Sequence, residues 1–510
     1  MSFQVNNKKI VKNTMALYLR MGFTMIISFF TTRIVLQVLG VDDYGLNNLV
    51  GSVVSLLSFI NGSMGTAVQR FYSIEIGKNN KERLSKVFGT GLYLHVIVAC
   101  ITVFIAEIFA FFFLDKLNIP HERLFAAQCV FQISILTLAL NIINVPFAAL
   151  LRAREEFSKT AVIDIIQAIL RLLILYLLCH ISYDKLITFS LLNFTISLYY
   201  LGSITWLARK YKECRTTMCK DRQLIKEMIK FVSLLLVTVL ASLFRDNGIV
   251  IFINLFFGLA INAAYAVAIQ VMHLVSTFVA NFKQSVVPQL MAAYGANDLD
   301  KMNKLVNIGT KTTFILMLII SLPLIFESQS ILNLWLKTPP QHASELVVLA
   351  LINVNISSFT YFMYQGVHAT GHITKQQTCM SILYLMNILF IYIFFKLEFN
   401  FYSAFYITII TSLIQCVVNV CFANKHFNYN IREFIQILMR CIITCAIIIL
   451  ILSLVHSCYS VSISRIFITT ISTIISSIII GYYLILNQKE KDFCVKYVKR
   501  IINKKAFKVN

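Results

Sequence analysis

Residues 161–180 read AVIDIIQAILRLLILYLLCH. Apart from Asp164, Gln167, Arg171 and His180 every side chain is apolar, and the apolar residues follow one another without alternation. As a helix the stretch rises about 30 Å, the thickness of bilayer hydrocarbon. A strand of a membrane barrel would be about 10 residues long and would alternate in polarity. In lipid the backbone must satisfy its own polar groups, so the segment predicts a membrane-spanning helix. Asp164, Gln167 and Arg171 fall at i, i+3 and i+7, which gathers them into one polar stripe.

The rest of the chain repeats this pattern. It is 58% hydrophobic and 13% charged, with a mean hydropathy of +0.76, too little polar surface for a soluble domain of 510 residues. Apolar windows predict about fourteen transmembrane helices, at 14–38, 46–68, 89–114, 123–150, 161–180, 186–208, 231–256, 263–288, 305–327, 343–367, 377–395, 402–423, 433–456 and 465–487. With the amino terminus inside, about 35 of the 45 Lys and Arg residues fall on the cytoplasmic side. Both termini are therefore expected in the cytoplasm, and the net charge of +22 needs no nucleic acid to explain it. The basic stretches Arg209–Lys230 and Lys489–Lys508 fit topology and attraction to anionic lipid headgroups. Lys8, Lys9 and Lys12 precede an apolar run too long for a cleavable leader. No interhelical stretch exceeds about 25 residues, which leaves no room for a catalytic domain outside the membrane.

The 12 cysteines are scattered and suggest packing residues rather than a disulfide framework. His368 and His372 have a metal-binding spacing, but Gly371 interrupts them and no Glu joins them. No metal and no cofactor are expected. Pro146 and Pro288 read as helix terminators, and Pro323 as a kink.

A shift of 218 positions places Gly40 on Gly258, Gly77 on Gly295, Gly91 on Gly309 and Lys86 on Lys304. A weaker echo at 216 pairs Ala153 with Ala369 and Lys159 with Lys375. The expected organisation is two six-helix bundles, 1–208 and 231–424, joined by a basic linker at 209–230. Two further helices follow at 425–487, then a basic tail at 488–510. An even number of spans per repeat keeps both copies the same way up, related by a pseudo-two-fold axis along the membrane normal.

Charges at membrane depth are costly and mark candidate sites. Arg33 and Gln37 share a face of the first span. Arg171 and Asp164 lie in the fifth, where they could also be a structural pair along one helix. Arg245 and Asp246 lie in the seventh; as neighbours they point about 100° apart and are expected to need partners on other helices or a wet cavity. Glu107 and Arg440 lie near span ends and can reach an interface. The candidate substrate-binding residues are Arg33, Gln37, Arg171 and Arg245, with Asp246 and Asp164 as candidate ion-coupling or tuning groups. Three arginines against two aspartates make a cationic interior suited to an anion.

The opening NKKIVKNTMALYLRMGFTMIISFFTTRIVLQVLG, the stretch FRDNGIVIFINLFFGLAINAAYAVAIQVMHLV at 244–275, and PFAALLRAREEFSKTAVIDIIQAILRLLILYLL at 146–178 carry a resemblance. They resemble bacterial Wzx-type flippases of the multidrug/oligosaccharidyl-lipid/polysaccharide exporter superfamily, with Asp246, Gly258, Tyr265 and Ala268 at matching positions of the second half. The resemblance implies an all-α, MATE-like membrane fold like that of the lipid II flippases. It also implies transfer of undecaprenyl-diphosphate-linked oligosaccharide across the bacterial inner membrane by alternating access. The substrate would feed O-antigen, capsule or exopolysaccharide assembly, with polysaccharide polymerase or export machinery as candidate partners. Arg33, Arg171 and Arg245 would then meet the diphosphate or acidic sugars, although Arg245 beside Asp246 weakens an ion-coupling role for the latter. A cation-coupled drug or metabolite antiporter of the same superfamily is the first rival. An enzyme of polysaccharide assembly is the second and weaker one, since the outer loops are only about 5–17 residues long.

Overall fold

A computed structural model of the chain describes residues 7–57, 59–113, 121–181, 183–215, 218–460, 462–488 and 490–492. The described residues form helices and no strands. In order these are α1 (Asn7–Leu57), α2 (Phe59–Gly77), α3 (Lys81–Phe113), α4 (Leu124–Ala153), α5 (Phe157–Cys179), α6 (Lys185–Ala208), α7 (Arg222–Gly295) and α8 (Leu299–Phe326). They continue with α9 (Ser328–Leu336), α10 (Ala343–Phe359), α11 (Tyr361–Thr370), α12 (Thr374–Lys396), α13 (Ser403–Phe427), α14 (Ile431–Cys458) and α15 (Ile463–Ile480), which runs on into a π turn at Gly481–Ile485. Among the described residues, 11 helical stretches are long and apolar enough to cross a bilayer. The chain is an all-α, multi-pass membrane protein. The tail expected to be basic, 488–510, lies almost entirely outside the described residues.

Two of the expected loops are absent. The first and second spans join inside α1, of 51 residues, and the seventh and eighth inside α7, of 74 residues. The helix breaks at one residue in each case, Gly40 (φ 81, ψ 172) and Gly258 (φ 79, ψ −174). That backbone region is open essentially to glycine alone, so a single residue redirects the chain where a loop of several was expected. These are the two glycines the 218-residue shift superposes. The same shift takes the end of α2 to the end of α7 and the start of α3 to the start of α8. It also takes left-handed Asn79 (φ 55) to left-handed Asn297 (φ 56). Pro146 and Pro288 do not end their helices: α4 continues to Ala153 and α7 to Gly295.

The chain divides into two compact units, Met1–Val239 with Gln284–Met302, and Leu240–Lys283 with Asn303–Asn510. In the first unit Tyr72, Phe88, Leu150 and Leu207 pack at the centre of one core, and Val130, Phe131, Ile135 and Leu175 at the centre of another. The end of α7 belongs to this unit. A Cβ at Gly77 would overlap the backbone of Ala292, and a Cβ at Gly295 would overlap the backbone of Ile74. Ile74 and Ala292 are themselves 218 residues apart, so this close crossing of α2 and α7 is reciprocal.

In the second unit Val271, Val275, Leu346, Ala350 and Ile391 centre the core. Here α15 is fastened to α8 and its flank by buried ion pairs. Arg465 Nη2 donates to Glu327 Oε2 at 2.9 Å, and Thr469 Oγ1 donates to Glu327 Oε1 at 3.2 Å. Lys311 Nζ meets Glu490 at 3.0 Å. Glu327 is fully buried at 1% exposure, which makes these groups an obligatory match rather than a surface ornament.

Candidate functional site

In the first unit the exposed apolar residues of α5, Val162, Ile166, Ile169, Leu173, Tyr176 and Leu177, form one stripe, as a lipid-facing helix requires. Arg171 is also exposed, yet it lies about 180° around the helix from Val162. Its guanidinium therefore opens onto the side turned away from the apolar stripe. Asp164 and Gln167 lie on that side too, as the i, i+3, i+7 spacing requires.

Asp164 does not pair with Arg171. Arg20 Nη1 of α1 donates to its Oδ2 at 2.9 Å, and Tyr200 Oη of α6 donates to Oδ1 at 3.0 Å. One helical turn separates i from i+4, whereas i+7 lies about 10 Å along the axis, so partners on α1 and α6 are nearer. Arg152 of α4 donates from Nε to Gln69 Oε1 at 3.0 Å. A Cβ at Gly65 would lie 3.3 Å from its Nη2, so the absence of a side chain there makes room for the guanidinium. Arg70, buried at 8% exposure, lies 5.0 Å from the ring centre of Phe71 and 4.8 Å from that of Phe231. Arg20, Arg70 and Arg152 were missed in sequence. Arg20 and Arg152 sit near the ends of their apolar windows, where a basic residue reads as a topology signal.

The side chain of Arg33 lies outside the described residues, and Gln37 is exposed on α1. The structure thus brings Asp164 into a polar cluster with residues of α1 and α6, with Arg171 on the same face of α5.

In the second unit Arg245 and Asp246 contradict the expectation that they would seek partners elsewhere. Arg245 donates to Asp246 Oδ1 from Nε at 2.8 Å and from Nη2 at 2.6 Å. The Cβ directions do diverge, but the arginine chain is long enough to fold back onto its neighbour. Its guanidinium also lies 4.4 Å from the ring centre of Tyr384 on α12. Beyond Gly258, α7 exposes Gln270, His273 and Thr277 on one face with Ala263 and Ala266. Leu259 and Leu274 are exposed on the same side, so that face mixes polar, small and large apolar residues.

Polar side chains surround the break between α10 and α11. Lys283 Nζ donates to Ser358 Oγ at 3.1 Å and lies 4.6 Å from the ring centre of Tyr361. Gln377 bridges Tyr364 Oη at 3.1 Å and His368 Nε2 at 2.7 Å. His372 stacks instead on His426, with ring centres 5.8 Å apart. Among the described residues no three His, Cys, Asp or Glu side chains gather where a metal could be held. A separate groove of 770 Å³, walled by Phe314, Phe359, Val420, Phe434, Cys441 and Ile442 among other apolar residues, lies between α8, α10, α13 and α14.

The MatE family profile matches residues 17–177, which hold the α1, α4 and α5 features just described. Among solved structures, MATE in the straight conformation superposes with a TM-score of 0.70 at 13% identity, over 82% of this chain and 96% of that one. The chain has the MATE fold. A multidrug resistance MATE family transporter of the MOP superfamily, in an outward-facing conformation, gives 0.65 at 14% identity over 82% and 95%. A MOP superfamily transporter from Pyrococcus furiosus Vc1 (DSM3638), described by a binding pocket of reversed polarity that suggests a different function, gives 0.67 at 14% over 82% and 95%. No curated protein matches by sequence.

Proposed function

We propose that the protein is a flippase for lipid-linked oligosaccharides, carrying undecaprenyl-diphosphate-linked repeat units across a bacterial inner membrane for surface polysaccharide assembly. Both termini would face the cytoplasm, and the two six-helix halves would alternate access to the path. The observation that carries this reading is Arg171, an exposed guanidinium on the side of α5 turned away from its apolar stripe. Such a group attracts phosphate bidentately and cannot be discharged by desolvation. Arg152 and Arg70 add positive charge inside the same unit. Arg33, Gln37 and Arg245 remain candidates to line the path. The apolar groove between α13 and α14 suits a hydrocarbon chain that stays in lipid while its headgroup crosses. Polymerase or export machinery would be the downstream partners.

The antiporter reading needs a carboxylate free to exchange a cation. Asp164 is already held by Arg20 and Tyr200, and Asp246 by Arg245, which weighs against it.

The test uses Arg171→Ala and Arg171→Lys, and a deletion of the gene, in the native bacterial host. The repeat unit is expected to accumulate in the inner leaflet with Arg171→Ala at normal protein levels, and to be partly flipped with Arg171→Lys. Normal polysaccharide in both variants would remove Arg171 from the path. Normal polysaccharide after deletion of the gene would overturn the flippase reading in favour of the antiporter.

A further inference from the structure

Lys283 is the cation the flippase reading leaves unused. It lies half-buried on α7 toward the end of an apolar window, and among the described residues no carboxylate comes within 4.0 Å of it. A half-buried ammonium with a hydroxyl and a ring for neighbours but no counter-charge is a place an anion can fill. Its surroundings are specific. Ser358 and Tyr361 flank the break between α10 and α11 at Thr360 (φ −101, ψ 13). That break is held open from α13, where Asn419 Nδ2 donates to Thr360 Oγ1 at 3.1 Å and Cys416 Sγ donates to the freed carbonyl of Ile356 at 3.3 Å. Broken helices with supported carbonyls are where membrane transporters build binding sites. One turn beyond Tyr361, on the same face of α11, stands Gln365. It is 8% exposed, and its Oε1 has no hydrogen-bond partner.

The repeat gives a second, independent reason to regard this as a built niche. Shifted back by 218, Lys283 falls on Gly65; shifted back by 216, Tyr361 falls on Val145 and His368 on Arg152. The two side chains next to Gly65 in the first unit are those of Arg152 and Val145. The contact of Lys283 with Tyr361 thus falls where that of Gly65 with Val145 falls in the first unit, and each unit puts one cation at that place. The first unit supplies it from α4, the second from α7. Arg152, too, has no carboxylate within 4.0 Å among the described residues, its Nε being bonded to Gln69.

The chemistry of the second niche differs from that of a phosphate site. An orphan amide oxygen needs a hydrogen-bond donor, and an ionised phosphate offers none. A sugar bearing a carboxylate offers both an anion for Lys283 and hydroxyls for Gln365, and its C–H face can lie against the Tyr361 ring. Resting on the flippase reading, we propose that Lys283, Tyr361 and Gln365 form a subsite in the second unit for an acidic, uronic-type sugar of the transported oligosaccharide.

Methyl glucuronide, methyl glucoside and inorganic diphosphate serve as probes against the full-length protein in lipid nanodiscs. Glucuronide is expected to bind in preference to glucoside and to shield Lys283 from an amine-reactive reagent, read by peptide mass spectrometry. Lys283→Gln should weaken glucuronide binding by about tenfold or more, as loss of a charge-assisted hydrogen bond implies, with Lys283→Arg restoring part of it. Gln365→Leu should weaken both sugars and leave diphosphate untouched. Equal glucuronide binding by wild type and Lys283→Gln overturns the subsite, as does Lys283 protection by diphosphate alone. If Lys283→Gln does not fold, the protection measurement on the wild type decides the matter. Lys283-dependent glucuronide binding without flipping of any polyprenyl-diphosphate oligosaccharide would keep the subsite and sink the flippase reading; flipping without such binding would do the reverse.

Discussion

Arg123 and His342 stand just before equivalent helices, α4 in the first unit and α10 in the second. Arg123 donates to Asp43 Oδ1 at 2.9 Å and also binds Asp184, tying the starts of α4 and α6 with charge to α1 just past its break at Gly40. The ring of His342 instead lies 5.2 Å from that of Phe401, and its Nδ1 is 3.1 Å from the Tyr402 hydroxyl. Asp184 and Tyr402 are equivalent as well, each standing directly before its helix and 218 positions apart. One unit is clasped by ion pairs and the other by aromatic contact, with the same helix starts in both. The repeat therefore preserves where helices start, break and cross, while the side-chain chemistry at those places has been free to change.

The largest expected effect lies where the units differ most, in the fastening of α15. Glu327→Ala strands a buried Arg465 and should destabilise the second unit by about 3–5 kcal/mol, read from thermal unfolding in detergent. Replacing both residues by Leu should recover most of that. If the double variant is no better than the single one, the pair is more than a charge match.

Intermediate effects should test sameness rather than difference. Gly77→Val and Gly295→Val each drive a side chain into a facing backbone, and each should destabilise by about 1–3 kcal/mol or more. Clearly unequal losses would break the claim that the crossing of α2 and α7 is reciprocal.

The smallest effect concerns the clasps. Burial alone would raise the Asp184 carboxyl, but the N–H groups of Ile187 and Leu186 together with Arg123 hold it below its ordinary value. A carboxylate depressed in the folded state stabilises at neutral pH, and that stabilisation is lost as pH falls through its folded value. Wild-type melting should thus drop on acidification below about pH 4. Asp184→Asn should flatten part of that drop, and Tyr402→Phe should leave it unchanged. An acid limb that ignores Asp184→Asn would mean the clasp adds nothing measurable.

Spans and the repeat were legible because both rest on local information. Apolar runs report membrane helices wherever they occur, and glycines at φ near +80° cannot drift to another residue type without strain. The partners of the charges were not legible. Asp164 meets Arg20 across 144 positions and Glu327 meets Arg465 across 138, and no pattern within one helix encodes such a pairing. The pairing of Arg245 with Asp246 was half legible: their adjacency pointed to it while their diverging Cβ directions pointed away, and a long flexible side chain need not follow its Cβ. Lys283 and Arg152 were passed over because a basic residue toward the end of an apolar window reads as orientation, and only the neighbours supplied by other helices show that it is enclosed.

The bond between Glu327 and Arg465 also has a consequence in time. A ribosome that has just made α8 must add 138 more residues before Arg465 exists. At about 5–20 residues per second that is roughly 7–28 s. Throughout that interval Glu327 has no Arg465 to neutralise it, so it must stay hydrated, protonated or shielded by the insertion machinery. The second unit can close only when almost the whole chain has been translated, and a nascent chain stopped before α15 would present quality-control proteases with a stranded acid inside the bilayer.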